Sequence, residues 1–356
     1  MGLRIGVYAP DLTRGPQPAP LRCLRDLFDN ISKRDGIDVV HLYRGDPLDW
    51  DDSIHIPRIP IIAEKKINNS DIDIIHFGSF VNIVTPKLIE VPTILRYHGD
   101  VYWEMPGTVN STIGDHTRRI LDTLFLPQHD QIVTVSNDLA TRVKSRYSRL
   151  SDCVATVYNG IDSQRFSQNN NELPEEYMIE SPYILHISSY SNKKNPRGIL
   201  KSFKKVKNQM DVNLVVVGGG WKDNKQVQRF IESSNIADRV TLTGYVPDKH
   251  LPSLYQNSEL FLYPSLHETF GLPIVEAMAC GTPVVTSNIY SPPEIAGGAA
   301  VTCDPSDPSD IADGIKQILT DHDLREALIE QGLSNSKQYT WENAADEMIE
   351  IYQKVM

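Results

Sequence analysis

His267-Glu268-Thr269-Phe270-Gly271-Leu272-Pro273-Ile274-Val275-Glu276-Ala277-Met278-Ala279-Cys280-Gly281-Thr282-Pro283-Val284-Val285 is the stretch that decides the fold. The apolar run 260–263 just before it reads as a strand that ends at Pro264. Pro273 falls where a helix takes its first residue, and Gly281 falls where one ends. Thr282-Pro283-Val284-Val285 then opens the next strand. Strand, loop, helix and strand in that order are the repeating unit of a parallel α/β sheet. The N–H groups of Thr269, Phe270, Gly271 and Leu272 lie at the expected helix N-terminus, beside a flexible glycine, which suits an anion such as a diphosphate. Glu268 in the loop and Glu276 about one turn into the helix flank that position. Carboxylates repel phosphate, so their natural partners are hydroxyls, one set on a sugar and one on a ribose. An ordinary α/β loop offers the same free amides, and a glutamate near a helix start is favourable helix chemistry. The pattern alone names no reaction.

Outward from this stretch, short apolar runs alternate with helical patterns along nearly the whole chain. Residues 3–9, 39–43, 72–77, 93–97, 131–135 and 154–158 read as strands, and 21–32, 117–126 and 136–147 as helices. The pattern breaks at 167–182, where Gln168-Asn169-Asn170-Asn171-Glu172 is polar and Pro174 and Pro182 bracket acidic residues, the signature of a linker. Beyond it, strands are expected at 183–187, 214–217, 240–242, 260–263 and 282–286. Helices are expected at 196–209, 225–234, 273–279 and 308–320. The expectation is two Rossmann-like, doubly wound domains, 1–170 and 181–340, facing across a cleft between their carboxyl edges. A final helix at 341–356 is expected to pack back on the first domain.

Composition bounds the function. Of 356 residues, 40% are hydrophobic and 23% charged, as in ordinary soluble globular proteins. The net charge of −11 argues against a nucleic-acid partner, which would require a basic face. Cys23, Cys153, Cys280 and Cys303 show no CxxC spacing, so neither a disulfide frame nor a zinc site is expected. No run approaches the roughly 18 apolar residues of a membrane span. The N-terminus is strand-like and unlike a signal peptide, and a cytoplasmic location is expected. Arg118, Arg119, Arg142, Lys144, Arg146 and Arg149 cluster on two helical segments. They could hold anionic lipid heads at the inner membrane surface, or form a solvated face.

The E-x7-E spacing of Glu268 and Glu276, with Glu-Thr-Phe-Gly-Leu-Pro and Glu-Ala-Met-Ala-Cys-Gly-Thr-Pro-Val-Val around them, resembles the signature of glycosyltransferase family four, which has the GT-B fold. Further likenesses fall in the family's order. They are Tyr97-His98-Gly99-Asp100, Val135-Ser136-Asn137, Tyr158-Asn159-Gly160-Ile161-Asp162, Lys193-Lys194-Asn195, Val217-Gly218-Gly219-Gly220, Gly244-Tyr245-Val246 and Pro293-Glu294-Ile295-Ala296-Gly297-Gly298.

The resemblance implies retaining transfer of a hexose from a nucleotide-diphosphate sugar to a glycan or lipid-linked acceptor. It implies that Glu276 holds ribose hydroxyls and Glu268 the hydroxyls at carbons 3 and 4 of the donor sugar. The amides of residues 269–272 would take phosphate or sugar oxygens. Lys194, with Lys193, would neutralise the departing diphosphate, so that neither a metal nor a resident cofactor is needed. Gly15, Gly218 and Val246 would line the donor, the last near the base. His98 would bond the sugar near carbon 6. GDP-mannose is the favoured donor because the Lys-Lys-Asn loop and Pro293-Glu294 look mannosyltransferase-like; UDP sugars fit the same frame. A donor phosphate oxygen is the expected acceptor of the hydroxyl proton, and no protein base is assigned.

Two departures stand out. The family's Gly-Gly loop near the N-terminus reads Thr13-Arg14-Gly15-Pro16-Gln17-Pro18-Ala19-Pro20, with one glycine and three prolines. Where relatives often have Gly-Arg, this chain has Ser188-Ser189, so Lys193 must supply a second positive charge. Rival readings are a metal-dependent single-domain transferase using Asp49-Trp50-Asp51 or Asp71-Ile72-Asp73, a GT-B epimerase, and a non-catalytic nucleotide-sugar-binding partner.

Overall fold

The computed structural model describes residues 2–9, 12, 19–43, 48, 50–56, 60–78, 85–99, 101–105, 112–169 and 172–356. The elements run β1 (Leu3–Tyr8), α1 (Ala19–Ile31), β2 (Ile37–Tyr43), β3 (Asp52–His55), α2 (Pro60–Asn68), β4 (Ile74–Phe77), β5 (Thr93–Tyr97), α3 (Val101–Glu104), α4 (Thr112–Phe125), β6 (Gln131–Thr134), α5 (Asn137–Arg146) and β7 (Val154–Thr156). They continue with β8 (Tyr183–Ile187), α6 (Pro196–Lys207), β9 (Asn213–Val217), α7 (Lys225–Ser233), β10 (Val240–Gly244), α8 (Leu251–Gln256), β11 (Leu260–Tyr263), α9 (Leu272–Ala279), β12 (Val284–Ser287), α10 (Pro292–Ala296), β13 (Val301–Cys303), α11 (Pro308–Thr320), α12 (His322–Ser336) and α13 (Trp341–Val355).

The chain forms two units. One comprises Met1–Asp100, Thr112–Gly160 and Tyr339–Met356, the other Val101–Ser111 and Ile161–Gln338. In the first unit the described strands form a parallel sheet of order β3-β2-β1-β4-β5-β6-β7. Consecutive residues such as Val39 and Val40, or Ile74 and Ile75, are buried together, because helices cover both faces of a parallel sheet. Helix α13 packs against α1. Tyr352 on α13 hydrogen-bonds Nδ1 of the buried His76 on β4 at 2.8 Å.

The second unit holds a parallel sheet of order β10-β9-β8-β11-β12-β13. Ile184, Leu214, Val216 and Leu262 of its strands pack with Ile199 and Phe203 of α6, Val227 of α7 and Ile315 of α11. In each sheet the winding direction reverses once, between β1 and β4 and between β8 and β11. At such a point the loops leaving adjacent strands diverge and open a crevice at the carboxyl edge.

Strands β5, β8 and β11 and helix α11 have the bounds expected from sequence. The helix expected at 273–279 starts one residue early, with Gly271 as N-cap and Pro273 in its second position. The units divide at Gly160–Ile161, ahead of the polar run 168–172. The reason is packing: the Ser167 carbonyl accepts from Gln256, and the Gln168 side chain lies against Gly281, all within the second unit. No helix among the described residues is long and apolar enough to cross a membrane.

At Gly160 the backbone runs close against the start of α13, since a Cβ there would lie 2.2 Å from the Trp341 amide nitrogen. Gly160→Ala must therefore displace the start of α13. We expect a loss of about 2 kcal/mol, seen as a fall of roughly 5 °C in thermal midpoint.

Candidate active site

The site in the second unit is assembled by the loops that follow β8 and β11. After β8 the chain passes Ser188–Ser191 and makes a short turn, Asn192–Lys194. Asn195 then adopts a left-handed conformation, φ 59°, which asparagine tolerates better than most residues. Its side-chain oxygen accepts from the Gly198 amide at 3.0 Å and caps α6. Its amide nitrogen donates to the Pro264 carbonyl at 3.0 Å and the Pro305 carbonyl at 2.6 Å. The Leu266 amide donates to the Lys193 carbonyl at 2.7 Å. The lysine loop is thereby pinned to the loop after β11.

That clamp brings Lys194 onto Glu268. The ammonium ion-pairs with the carboxylate and also donates to the Tyr263 hydroxyl. The hydroxyl in turn donates to Glu268 Oε1 at 3.1 Å, and the ammonium stands 4.7 Å from the Tyr263 ring centre. Burial pushes the Glu268 carboxyl up, but the charges of Lys194 and then Lys193 outweigh it and hold the group at about 2. For Lys193, Glu268 pulls upward, and burial together with the Lys194 charge brings the ammonium below its usual range. The sequence reading gives Lys194 to the phosphates and Glu268 to the sugar; in the structure each neutralises the other.

Gly271, φ 102°, turns the chain into α9, and the amide of Leu272 as first helical residue has no partner within the helix. Thr269 and Phe270 precede it, with Phe270 buried. Glu276 Oε2 accepts from the Tyr255 hydroxyl at 2.9 Å. Behind these, Gly218, φ 131°, sits where a Cβ would lie 2.1 Å from the Ser188 carbonyl oxygen. Its amide donates to the Gly244 carbonyl at 2.8 Å, so the ends of β8, β9 and β10 are drawn together. Next to Gly244, Tyr245 is exposed while Val246 is buried.

In the first unit His98 follows β5 and is half-buried. Burial, and then the neighbouring Arg96 charge, lowers its imidazole to about 3, so it is neutral at physiological pH. His76 on β4 is a core histidine held by Tyr352. Gly15, Asp100 and Asp49 lie outside the described residues. Of the acidic triplets, Asp71 ion-pairs with Arg4 at 3.1 Å and Asp73 accepts from the Arg4 amide at 2.7 Å. Asp51 accepts from the Val39 amide at 2.7 Å. Sequence reasoning missed Tyr263 and Tyr255. The available signal for Tyr263 was an aromatic with a polar tip closing a central strand at the carboxyl edge.

Two Rossmann-like units with a carboxylate- and lysine-lined crevice at a sheet's switch point define the class, a GT-B protein. The sucrose-phosphate synthase of Thermosynechococcus elongatus has the same architecture, with a TM-score of 0.81 at 17% identity over 99% of each chain. The Glycosyltransferase Family 4 model matches residues 2–165 and the Glycosyl transferases group 1 model residues 168–334. This chain belongs to glycosyltransferase family four. It is 35% identical over 228 residues to the O-antigen chain mannosyltransferase B of Escherichia coli, covering 62% of this chain and 60% of that relative. It is 30% identical over 257 residues to the N-acetyl-alpha-D-glucosaminyl L-malate synthase of Bacillus anthracis, covering 70% of this chain and 66% of that one.

The pair's electrostatics are testable without a ligand. Lys194→Met takes the ion-pair partner from a buried carboxylate and should cost about 3 kcal/mol in urea unfolding, most of it regained in the Lys194→Met/Glu268→Gln double variant. The Glu268 carboxyl titrates lower folded than unfolded, so its stabilisation is complete above its usual value of 4.5 and fades as pH falls toward about 2. Glu268→Gln should flatten the acid limb of stability across that window.

Proposed function

We propose that this chain is a retaining, metal-independent hexosyltransferase that moves mannose from GDP-mannose to a glycan or lipid-linked acceptor in polysaccharide or glycoconjugate synthesis. The observation that carries this reading is the gathering of Lys194, Glu268, Glu276 and the α9 N-terminus at the switch point of the second sheet. In this reading the first-turn amides of α9 take diphosphate oxygens and Glu276 takes the ribose hydroxyls. Glu268 exchanges its ion pair for the sugar hydroxyls, which frees the Lys194 ammonium to meet the charge that develops on the leaving diphosphate. Lys193 adds the second positive charge, so the role a divalent cation would otherwise fill falls to two lysines. His98, neutral at working pH, hydrogen-bonds the sugar near carbon 6 without adding charge. The incoming hydroxyl attacks on the face the diphosphate leaves, and a phosphate oxygen takes its proton. Mannose is favoured by the mannosyltransferase relative in Escherichia coli.

A thermal-shift panel of GDP, UDP and ADP with their common sugars, in excess chelator, tests the donor site. We expect GDP and GDP-mannose to raise the midpoint of the wild type, and Glu276→Ala to lose the shift. A shift with UDP alone would move the donor to a UDP sugar, and none with any nucleotide would overturn the reading.

A lipid-linked acceptor fits one surface of the first unit. Ile120 and Leu124 on α4 are both 56% exposed and one helical turn apart. Arg149 donates to the Thr123 carbonyl at 3.4 Å, which sets a cation beside them, whereas Arg142 is spent on Asp138 at 2.7 Å. Vesicles containing about a third phosphatidylglycerol should co-sediment the wild type and release the Ile120→Glu/Leu124→Glu variant. Equal sedimentation of both would remove membrane contact from the proposal.

A further inference from the structure

Glu268 and Lys194 are held by a third group to which neither the family signature nor the donor reading gives a role. Tyr263 is the last residue of β11, 1% exposed, with its ring against two others. His186 of β8 stacks at 6.0 Å between centroids and 26° between planes, and Phe261 at 5.5 Å and 22°. His186 is itself fixed. Its Nδ1 lies 2.8 Å from the Leu262 carbonyl, which can only accept, so Nδ1 carries the proton. Nε2 then accepts from the Ser188 hydroxyl at 2.8 Å. The tyrosine ring is thus packed against two neighbouring rings, one of them itself fixed by two hydrogen bonds, and this holds the hydroxyl in place. There it accepts from the Lys194 ammonium and donates to Glu268 Oε1.

We propose that Tyr263 is a positioning residue for transfer. Its hydroxyl holds the Lys194 ammonium at one point of the crevice while Glu268 changes partner from the lysine to the sugar. An ion pair alone cannot do this. A four-carbon lysine side chain released by its carboxylate has many rotamers, and a cation that wanders gives little stabilisation to a charge developing at one oxygen. A fixed hydroxyl acceptor under the ammonium, together with the ring face beside it, limits that freedom in both states. The proposal rests on the donor reading above for its catalytic consequence, but not for the tethering itself.

The test uses Tyr263→Phe, which keeps the ring, the stack and the ring face and removes only the hydroxyl. With GDP-mannose as donor, kcat should fall about tenfold while KM for the donor changes less than about threefold, because the loss is felt where charge builds up. Independently of any donor, reductive methylation followed by mass spectrometry should label Lys194 about fivefold faster in Tyr263→Phe than in the wild type, with exposed Lys222 unchanged. Equal labelling of Lys194 in the two proteins would overturn the proposal. So would faster labelling of Lys194 and Lys222 together, which would mark general loosening of the fold. A wild type that turns over no nucleotide sugar would sink the donor reading, while the labelling comparison would still decide the tethering.

Discussion

A carboxylate as buried as Glu268, 8% exposed, survives in its charged form only with a cation and hydrogen-bond donors against it. Everything around the crevice of the second unit follows from supplying them. The cation comes from 74 residues earlier in the chain, so the loop after β8 must be delivered to the loop after β11 with little slack. Asn195 delivers it by spending its whole side chain, the oxygen on the start of α6 and the nitrogen on two carbonyls across the gap. The left-handed backbone at that residue, costly for most side chains, puts the amide within reach of all three. Local strain and a long-range ion pair are in this sense one device.

The parallel sheet explains why the device stands where it does. Strands β8 and β11 are neighbours in the sheet although α6, β9, α7, β10 and α8 separate them in sequence. The loops that follow them do not continue the sheet, and only single hydrogen bonds such as Leu266 to Lys193 and Asn195 to Pro264 join them. The backbone groups and side chains there are left for other partners, which is why α/β sheets bind ligands at this point. Gly218 serves the same edge from the other side. Its missing side chain lets the β9 end close on the Ser188 carbonyl, a distance that no other residue permits.

How much of this was legible in the sequence depends on how local each feature is. Strands β5, β8 and β11 could be bounded to the residue because short apolar runs meet proline or polar residues at their ends: Pro92 and His98, Pro182 and Ser188, Glu259 and Pro264. Strand β3, Asp52-Ser53-Ile54-His55, gave no such signal: it is a polar edge strand whose place is set by pairing with β2. Helix α12 was missed because its apolar residues make no consistent stripe, with only Leu328, Gly332 and Ser336 buried. Lys194, Glu268 and Glu276 could be singled out as candidates because each sits in a compact local motif. Tyr263 was not, since its meaning lies in Lys194, 69 residues away. The His98 environment was half legible: its place just after a strand is local, while the burial that, with the Arg96 charge, lowers its imidazole depends on what packs over it.

The serine pair after β8 shows how a departure from the family pattern is absorbed. Both hydrogen-bond donors of Ser188 are spent. Its amide donates to the Val217 carbonyl at 2.9 Å, its carbonyl accepts from Trp221 Nε1 at 2.7 Å, and its hydroxyl is taken by His186. A side chain so committed can order the ring stack behind the crevice but cannot bring charge into it, and Ser189 is too short to carry any. The positive charge must therefore enter from the next loop, where the two lysines stand. The same Ser188 hydroxyl that replaces a glycine in the family pattern fixes His186, and His186 fixes the ring of Tyr263. Ser188 thus stiffens the support of the Lys194 ammonium.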